Sequence, residues 1–337
     1  MINIVALDCM GGDYSPGAQV EGAVMAVREY KVAVILVGNE EQLRFHLERL
    51  KATDLAIPVR DASEVISNEE QPSSVVRRKK DASLVVAHQM VKDGEASAVI
   101  TCGNTGALLA AGLFIIGRMP GVERPALAPM LPTHDGKGFL LLDAGASAEG
   151  KPEYLVQYAI MGYLYRQLVH GIPEPRIGLI NVGSEPGKGN ELYRQAYSLL
   201  QKAPVNFVGN IEGRDLLAGV CDVAVCDGFT GNIVLKCLEG SGSFFTQILR
   251  EEMSASSRGL VGGAIASPAL KNLRKRLDYS EYGGAPLLGL NGVSFKAHGS
   301  SNARAICQAL KIAFDFSESG MVSQLNLLLA EQQRSSL

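Results

Sequence analysis

"ITCGNTGALLAAG", Ile100–Gly112, joins an apolar run to small helix-forming residues through a Gly-Asn-Thr-Gly turn. The pattern predicts a strand that ends at Gly103 and a helix that begins near Ala107. The first N–H groups of such a helix have no partner within the helix and, together with the helix dipole, favour an anion. The turn lacks both the lysine of a P-loop and G-x-G-x-x-G spacing, so we expect a guest smaller than a nucleotide.

Apolar runs typical of strands recur on both sides of this turn. They are Ile2–Leu7, Val32–Val37, Ala98–Thr101, Ile177–Asn181, Asn206–Val208 and Val223–Cys226, with helical patterns between most of them. This alternation predicts an α/β fold with a mainly parallel, Rossmann-like sheet and helices on both faces. Leu127–Thr133 and Phe139–Asp143 flank "HDGKG", which indicates a hairpin, a small antiparallel excursion at 127–143.

Two long helices carry more apolar residues than a solvated helix needs. One spans Pro152–His170 and has its proline in the first turn, where proline is tolerated. The other follows Gly231 and ends near Glu252. We therefore predict one large α/β domain over 1–337, with a protruding helical segment at 231–285 that packs on another lobe, another subunit or a membrane.

The composition limits the possible partners. Of 337 residues, 47% are hydrophobic and 20% charged, and the net charge is −3. No uncharged apolar run reaches the length of about 18 residues that a membrane span needs, and no general basic character favours nucleic acid. The six cysteines are scattered, mostly in apolar segments, which predicts a reduced, cytoplasmic protein. Cys221 and Cys226 have no second pair beside them, so no metal is expected.

Glycine-rich segments follow six of the predicted strands. They read "DCMGGD", "GNTGA", "DAGAS", "NVGSEPGKGNE", "GNIEGRD" and "CDGFTGN". One such turn is weak evidence, because turns use glycine for backbone reasons. Ligands of parallel sheets bind beyond the carboxyl ends of the strands. Six glycine-rich turns at one edge therefore predict a backbone that approaches a ligand closely.

Several of these segments belong to a longer ordered set of motifs. The set is "ALDCMGGD", "RRKKDAS", "GNTGALLAAGLFIIGR", "ERPALAPMLPT", "KGNE", "GNIEGRD", "DGFTGNIVLK", "DYSEYGGAPLLG" and "KAHGSS". Together they resemble the phosphate acyltransferases of the PlsX family over nearly the whole chain. The resemblance implies a fold related to phosphate acetyltransferases and to isocitrate and isopropylmalate dehydrogenases. It also implies transfer of a long acyl chain from acyl carrier protein to inorganic phosphate, giving acyl phosphate for glycerolipid synthesis.

Two positions depart from the family pattern. The family usually has alanine where this chain has Cys102, and asparagine where it has Ser147. The first departure argues against a catalytic thiol at position 102. The second puts an amide role at position 147 in doubt, because a hydroxyl is shorter and cannot offer two N–H donors.

The implied reaction needs few acid–base groups. Phosphate has a second pKa of roughly 6 and a thiol is a fair leaving group, so no serine triad is required, and no G-x-S-x-G elbow occurs. The reaction needs a phosphate cradle and oxyanion donors, without cofactor or metal. The residues expected to bind phosphate or substrate are Gly103, Asn104, Thr105, Gly106, Ser300 and Ser301, and the expected catalytic residues are Lys188, Asn232 and His298.

Each of these residues also has a structural interpretation. Lys188 could be a solvated loop lysine, and His298 could belong to a capping histidine–serine turn. Asn104 and Asn232 could form Asx turns. Asp8, Asp13 and Asp227 would repel phosphate, so we expect them to cap helices or hold basic or amide side chains.

Two other enzyme classes fit less well. "HQMVKD" matches the H-x-x-x-x-D string of another acyltransferase class through His88 and Asp93. On a helix these residues would point about 140° apart, which favours chance. A dehydrogenase would need a G-x-G-x-x-G turn after a strand, and none is present.

A docking role is the alternative to catalysis. "SPALKNLRKRL" carries leucines on one helical face with basic residues around them, after an apolar tip. The residues expected to contact a membrane or carrier protein are Leu260, Val261, Ile265, Arg274, Lys275 and Arg276. An ordinary surface helix is the other interpretation, and "VRRKK" at 76–80 is a second candidate site for an acidic carrier. The expected partners are acyl carrier protein, phosphate, a second copy, the membrane surface and the membrane glycerol-3-phosphate acyltransferase that uses acyl phosphate.

Overall fold

The computed structural model describes residues 3–67, 69–277 and 283–327, without the side chains of 274–277. Ile2, part of the first predicted strand, and the side chains of Arg274, Lys275 and Arg276 lie outside this description. The strands are β1 (Val5–Asp8), β2 (Val34–Gly38), β3 (Val59–Asp61), β4 (Ala98–Thr101), β5 (Ala126–Leu127), β6 (Met130–Leu131), β7 (Phe139–Leu142), β8 (Arg176–Asn181), β9 (Asn206–Glu212), β10 (Val223–Val225), β11 (Ala285–Leu288) and β12 (Val293–Lys296).

Helices connect most of these strands. They are α1 (Gly17–Tyr30), α2 (Glu40–Arg49), α3 (Pro72–Arg78), α4 (Ser83–Lys92), α5 (Thr105–Ala111), α6 (Pro152–His170), α7 (Glu191–Leu200), α8 (Gly228–Ser254), α9 (Ser257–Leu277) and α10 (Ala303–Glu318). A π-helical turn at Gly112–Ile116 continues α5. The predicted α/β class is confirmed.

The parallel strands divide between two sheets in the described part of the chain. The first has the order β3-β2-β1-β4-β12-β11-β5, and the second β6-β7-β10-β8-β9. In the first, β1 to β4 and β12 run parallel, whereas β11 is antiparallel to both its neighbours. In the second, only β6 runs against its neighbour, pairing with β7. Strand-helix alternation looks the same in one sheet or two, so the sequence pattern does not reveal this division.

Helix α6 links the second sheet to the first. It begins at Pro152, whose missing N–H costs nothing in the first turn, and ends at His170, where Gly171 with φ 66° forms the C-cap. It packs on β7, β8 and β10. On its other side the buried Tyr165 meets Phe316 of α10 with ring centroids 5.4 Å apart, and Phe316 meets Phe295 of β12 at 5.7 Å. These aromatic contacts fix the second sheet against the first.

The glycine-rich segments do not lie at one edge, as the sequence analysis expected. Those after β1 and β4 belong to the first sheet, and those after β7, β8 and β10 to the second. "GNIEGRD" begins inside β9 rather than after it. The expectation of one edge failed because the strands divide between two sheets, which strand-helix alternation does not reveal. In β9, the apolar run and its glycine-rich extension pair as one strand.

Helices α8 and α9 leave the body of the protein and pack on each other. Beyond Leu235, α8 has no buried residue, and α9 has none through Leu273. Large apolar side chains stay exposed on both helices, including Phe245 (64%) and Ile265 (77%). None of the helices described is long and apolar enough to cross a membrane.

Candidate active site

A cleft of about 690 Å³ lies between the two sheets at the carboxyl ends of their strands. The first sheet contributes the segments after β4 and β12, and the second those after β7 and β10. The predicted residues that line the cleft are Gly103, Thr105, Gly106, Asn232, His298 and Ser301. The crevice at the strand ends is where parallel sheets bind ligands.

The turn after β4 is held in place by hydrogen bonds that lead to the buried carboxylate of Asp8. The Thr101 hydroxyl donates to Asp8 Oδ2 at 2.6 Å and accepts from the Gly103 N–H at 2.9 Å. The Ser83 hydroxyl donates to the other Asp8 oxygen at 2.6 Å. Burial raises the pKa of Asp8, although these hydrogen bonds oppose the shift. A Cβ on Gly11 would lie 2.7 Å from the Gly103 nitrogen, so only glycine allows this approach.

Asn104 caps the helix that follows this turn. Its Oδ1 accepts from the Ala107 N–H at 2.9 Å, and its Nδ2 donates to the Ser67 carbonyl at 3.3 Å. The helix begins at Thr105, two residues before the predicted start. The capping interpretation of Asn104 therefore describes its local geometry, and its neighbours Gly103 and Thr105 face the cleft.

Basic side chains gather at the end of β12. Lys296 lines the cleft, and its Nζ donates to the Cys102 carbonyl at 3.1 Å. Burial lowers the pKa of Lys296, and the charge of Lys236 on α8 lowers it further, against the opposing effect of Asp8. The pKa of His298 is lowered by burial and by both lysines, while Glu239 opposes the shift. Lys236 and Lys296 thus place two ammonium groups near His298, and an anion between them would offset their mutual repulsion, which the pairing of Lys236 with Glu239 at 2.8 Å relieves in part.

The histidine–serine turn holds His298 in this cluster. Nδ1 of His298 lies 2.7 Å from the Ser300 hydroxyl and accepts from the Ser300 N–H at 3.2 Å. The Ser301 N–H donates to the His298 carbonyl at 3.1 Å, and Asn302 then caps α10. The capping turn and a site role are compatible here, because His298 and Ser301 also line the cleft.

The opposite side of the cleft is built on Asp143. Its Oδ1 accepts from the N–H groups of Leu127, Gly145 and Ala146, and its Oδ2 from that of Ser147 at 2.8 Å. Burial raises the pKa of Asp143 to about 6, against these four hydrogen bonds. The loop that it shapes approaches α8 closely, since a Cβ on Gly145 would lie 3.2 Å from Asn232 Cβ.

Asp227 caps α8, as one of its two sequence interpretations predicts. Its Oδ1 accepts from the Thr230 N–H at 3.0 Å, and its Oδ2 accepts from the hydroxyls of Thr230 and Tyr193. Burial opposes ionisation, but these donors outweigh it and lower the pKa of Asp227. The cap places Asn232 and Lys236, one turn apart on α8, against the cleft.

Residues 4–324 match the family described as "Fatty acid synthesis protein". The chain belongs to this family. A phosphate acyltransferase from Bacillus cereus (strain G9842) is 52% identical over 308 residues, 91% of this chain and 92% of that protein. One from Bacillus thuringiensis (strain Al Hakam) is 51% identical over the same shares. The resemblance to the PlsX family is confirmed.

Solved structures share the fold at low identity. A phosphotransacetylase from Streptococcus pyogenes has a TM-score of 0.64 at 16% identity, covering 94% of each chain. A branched-chain phosphotransacylase from Enterococcus faecalis V583 has a TM-score of 0.58 at 15% identity, covering 94% of this chain and 100% of that one. The expected relation to the phosphate acetyltransferase fold is confirmed.

Lys188 and Cys102 differ in their relation to the cleft. Lys188 is not among the lining residues; half of its side chain is exposed, and its Nζ lies 3.8 Å from Glu185. Cys102 lines the cleft, but burial raises the pKa of its thiol to about 12. A thiol with this pKa is protonated at neutral pH, unlike an activated nucleophile.

The H-x-x-x-x-D string is a chance match, as the sequence analysis expected. Buried His88 donates from Nδ1 to the Leu84 carbonyl at 2.7 Å and accepts at Nε2 from Ser294 at 3.1 Å. Burial lowers the pKa of His88 to about 4. Asp93 instead accepts from Gln89 on the exposed side of the helix.

The sequence analysis did not single out Lys296, Lys236 or Asp143. Lys296 stands two residues before His298, at the end of an apolar run, and the segments after strands are where parallel sheets bind ligands. Lys236 stands four residues after Asn232, which places both on one face of a helix. These spacings were the available signals. Burial of Asp143 could not be inferred, because "DAGAS" is equally typical of an exposed turn.

The two candidate docking segments present different kinds of surface in the part of the chain that the structure describes. In the 76–80 run, Arg78 and Lys79 both pair with Glu70, while Arg77 lies over the Phe114 ring at 4.4 Å. Leu260 and Val261 on α9 are exposed. Leu260, Val261 and Ile265 thus present an apolar surface, whereas the 76–80 run is partly paired.

Proposed function

We propose that the cleft transfers a long acyl chain from the thioester of acyl carrier protein to orthophosphate, producing acyl phosphate for glycerolipid synthesis. Membership of the family indicates acyl transfer to phosphate; the carrier-protein donor and the pathway are our proposal. The observation that carries it is the cluster of Lys236, Lys296 and His298 beside the glycine-rich turn. Two ammonium groups and a histidine at one end of a cleft suit a phosphate dianion.

In the proposed reaction a phosphate oxygen attacks the thioester carbonyl carbon. A C–O bond forms, the C–S bond breaks, and the carrier leaves as its thiol after taking up a proton. Lys236 and Lys296 hold the phosphate, with Gly103, Thr105, Gly106 and Ser301 around it. Asn232 and His298 are the proposed donors to the developing oxyanion. Asn104 supports this arrangement by capping α5, and Ser300 supports it through the histidine–serine turn. Lys188, in the loop after β8, remains a further candidate catalytic residue.

Transfer is direct in this proposal, with no acyl group on cysteine. The raised pKa of Cys102 keeps its thiol protonated, and burial leaves it little access. Phosphate itself is a competent nucleophile when it is held near the carbonyl. No cofactor or metal is part of this mechanism.

The decisive experiment incubates the purified protein with palmitoyl-acyl carrier protein and labelled phosphate. We expect label in the lipid fraction as acyl phosphate and release of one carrier thiol for each acyl phosphate formed. Palmitate release without incorporation of label would show a thioesterase and refute the proposal. Binding of carrier protein with neither product would favour the alternative, a docking module without turnover.

We further propose that the protein forms a homodimer through α8. The exposed Phe244, Phe245 and Ile248 lie within five residues on this helix, which suits a subunit interface. Sedimentation equilibrium should give a dimer for the parent and a monomer for Phe245→Glu. A parent that sediments as a monomer at micromolar concentration would contradict the proposal.

The surface of Leu260, Val261 and Ile265 is the proposed site of reversible membrane contact, which would make this a cytoplasmic, peripherally associated protein. There it could pass acyl phosphate to the membrane glycerol-3-phosphate acyltransferase. Liposome sedimentation with anionic vesicles should show salt-sensitive binding that Leu260→Glu with Ile265→Glu abolishes. Val208→Glu, at an exposed valine on β9, is the matched control. Equal binding by all three proteins would refute this contact.

A further inference from the structure

One wall of the cleft is apolar. Its residues come from α5, the hairpin region, α8 and β11, and they are Leu109, Leu127, Pro129, Met130, Leu235 and Ala285. All of those in strands or in α8 are buried although they line the cleft. The wall therefore offers hydrocarbon surface in a recess rather than on the open face of the protein.

The wall is firmly supported from behind. Leu127, Leu235 and Ala285 pack in one cluster with Leu131, Phe139 and Leu141. Such a cluster is close-packed, so its surface keeps its shape when a ligand enters.

The backbone of this wall is already hydrogen-bonded within the protein. The Leu127 N–H donates to Asp143, and the Leu127 carbonyl accepts from Ala144 at 2.9 Å. The Ala128 N–H donates to the Pro286 carbonyl, and the Pro129 carbonyl accepts from Leu141. With these groups engaged, the wall suits an alkyl chain better than a polar carrier arm.

Met130 separates the wall from a buried cation. Arg166 of α6 is almost fully buried and does not line the cleft. Its Nη1 lies 3.2 Å from Met130 Sδ, and its Nη2 donates to the Gly138 carbonyl at 3.0 Å. An alkyl chain that passed Met130 would meet a guanidinium to which it offers no acceptor, which is unfavourable.

We propose that this wall is the acyl-chain site and that Met130 sets the longest chain the cleft accepts. The inference rests on the proposed function, because it places the acyl chain in the cleft whose other side holds phosphate. Each methylene that lies against the wall should strengthen binding about fourfold, equivalent to about 0.8 kcal/mol. The gain should stop where the chain reaches Met130.

The test measures binding of straight-chain alkylphosphonates, from butyl to octadecyl, by isothermal titration calorimetry, with and without inorganic phosphate so that competition is seen as a loss of affinity. For the parent we expect affinity to rise with chain length and then level off. The chain length at which affinity stops rising is called the levelling point. Met130→Ala should move the levelling point to longer chains by at most about two or three methylenes, since the chain can fill the space of the three heavy atoms beyond Cβ but cannot pass Arg166. Ala285→Leu should move it to shorter chains, because the added side chain occupies the recess.

Met161→Ala is the matched control. Met161 is also a fully buried methionine, but it lies on α6 and does not line the cleft. It should lose stability comparably while its levelling point stays that of the parent. If Met130→Ala does not fold, as judged by circular dichroism, Ala285→Leu tests the inference alone.

The outcomes separate the two proposals. If no alkylphosphonate competes with phosphate in the parent, the proposed function fails. If alkylphosphonates bind and compete but the levelling point is the same in the parent, Met130→Ala and Ala285→Leu, the acyl-chain site is refuted and the phosphate site stands.

Discussion

Asp8 and Asp143 occupy similar places at the ends of strands in the two sheets, yet they accept hydrogen bonds from different kinds of donor. Asp8 ends β1 and accepts from the side-chain hydroxyls of Ser83 and Thr101 as well as a backbone N–H. Asp143 follows β7 and accepts from four backbone N–H groups. Asp8 also acts on the charge of Lys296, whereas Asp143 holds the loop that brings Gly145 and Ser147 to the other side of the cleft.

This difference divides the cleft into two parts. The first sheet supplies Lys296 and His298, whereas the second supplies Lys236 and Asn232 through α8 and the loop that Asp143 holds. A change at Lys296 should therefore alter turnover, and a change at Asp143 should alter stability and its pH dependence.

The largest expected effect is at Lys296. Lys296→Ala should lower turnover roughly 10²-fold, about 2.7 kcal/mol, because it removes a charge next to the reacting phosphate. Steady-state kinetics with labelled phosphate measures this change, and Lys202→Ala, at an exposed lysine, is the control. Lys188→Ala, measured in the same way, shows which of Lys296 and Lys188 contributes more to turnover. A loss there equal to that of Lys296→Ala would move the phosphate site toward the loop after β8.

The next largest effect is the change of the free energy of unfolding with pH that Asp143 causes. Because its folded-state pKa is raised from 3.8 to about 6, the native state holds a proton there that the unfolded state has lost. The contribution of Asp143 to the free energy of unfolding is therefore full below pH 4 and falls as pH rises to 6, by up to about 3 kcal/mol. Urea denaturation across this pH range measures the change.

Asp143→Asn isolates this contribution from other titrating groups. The variant should be less stable by about 1 to 3 kcal/mol, because the NH₂ that replaces one carboxylate oxygen cannot accept from the N–H groups that bond to that oxygen. It should lack the fall with pH that Asp143 contributes. His88 and His170, whose pKa values are lowered to about 4, give the opposite slope in both proteins and cancel in the difference. Parallel pH profiles would show that Asp143 does not titrate in this range.

The smallest expected effect is at Cys102. Cys102→Ala should keep turnover within about threefold of the parent, since a thiol with a raised pKa supplies no nucleophile. Mass spectrometry of the parent under turnover provides the companion measurement. Loss of activity in the variant together with an acyl group trapped on Cys102 would reverse the assignment.

The sequence predicted local features of this fold well. Alternating apolar runs located β1, β2, β4, β8, β9 and β10 to within a few residues, and the predicted helix Pro152–His170 matches α6. These signals are local, because strand period, proline and glycine act on the residues beside them. By contrast β11, β12 and their place in the first sheet depend on pairing with β4 and β5, which the chain separates by more than a hundred residues.

The sequence by itself determined the α/β class, the family and the turns that approach the cleft. The order of the motifs and the positions of the glycines carry that information. A turn that needs glycine for its backbone conformation can be recognised from the few residues around it. Only the tertiary structure decided which groups share the site. Lys296 lies near Lys236 because two sheets meet there, and Asp143 has a raised pKa because the packed loop excludes water. The burial of a side chain and the meeting of side chains in one site depend on segments that are distant in the sequence. No local pattern of residues specifies either of them.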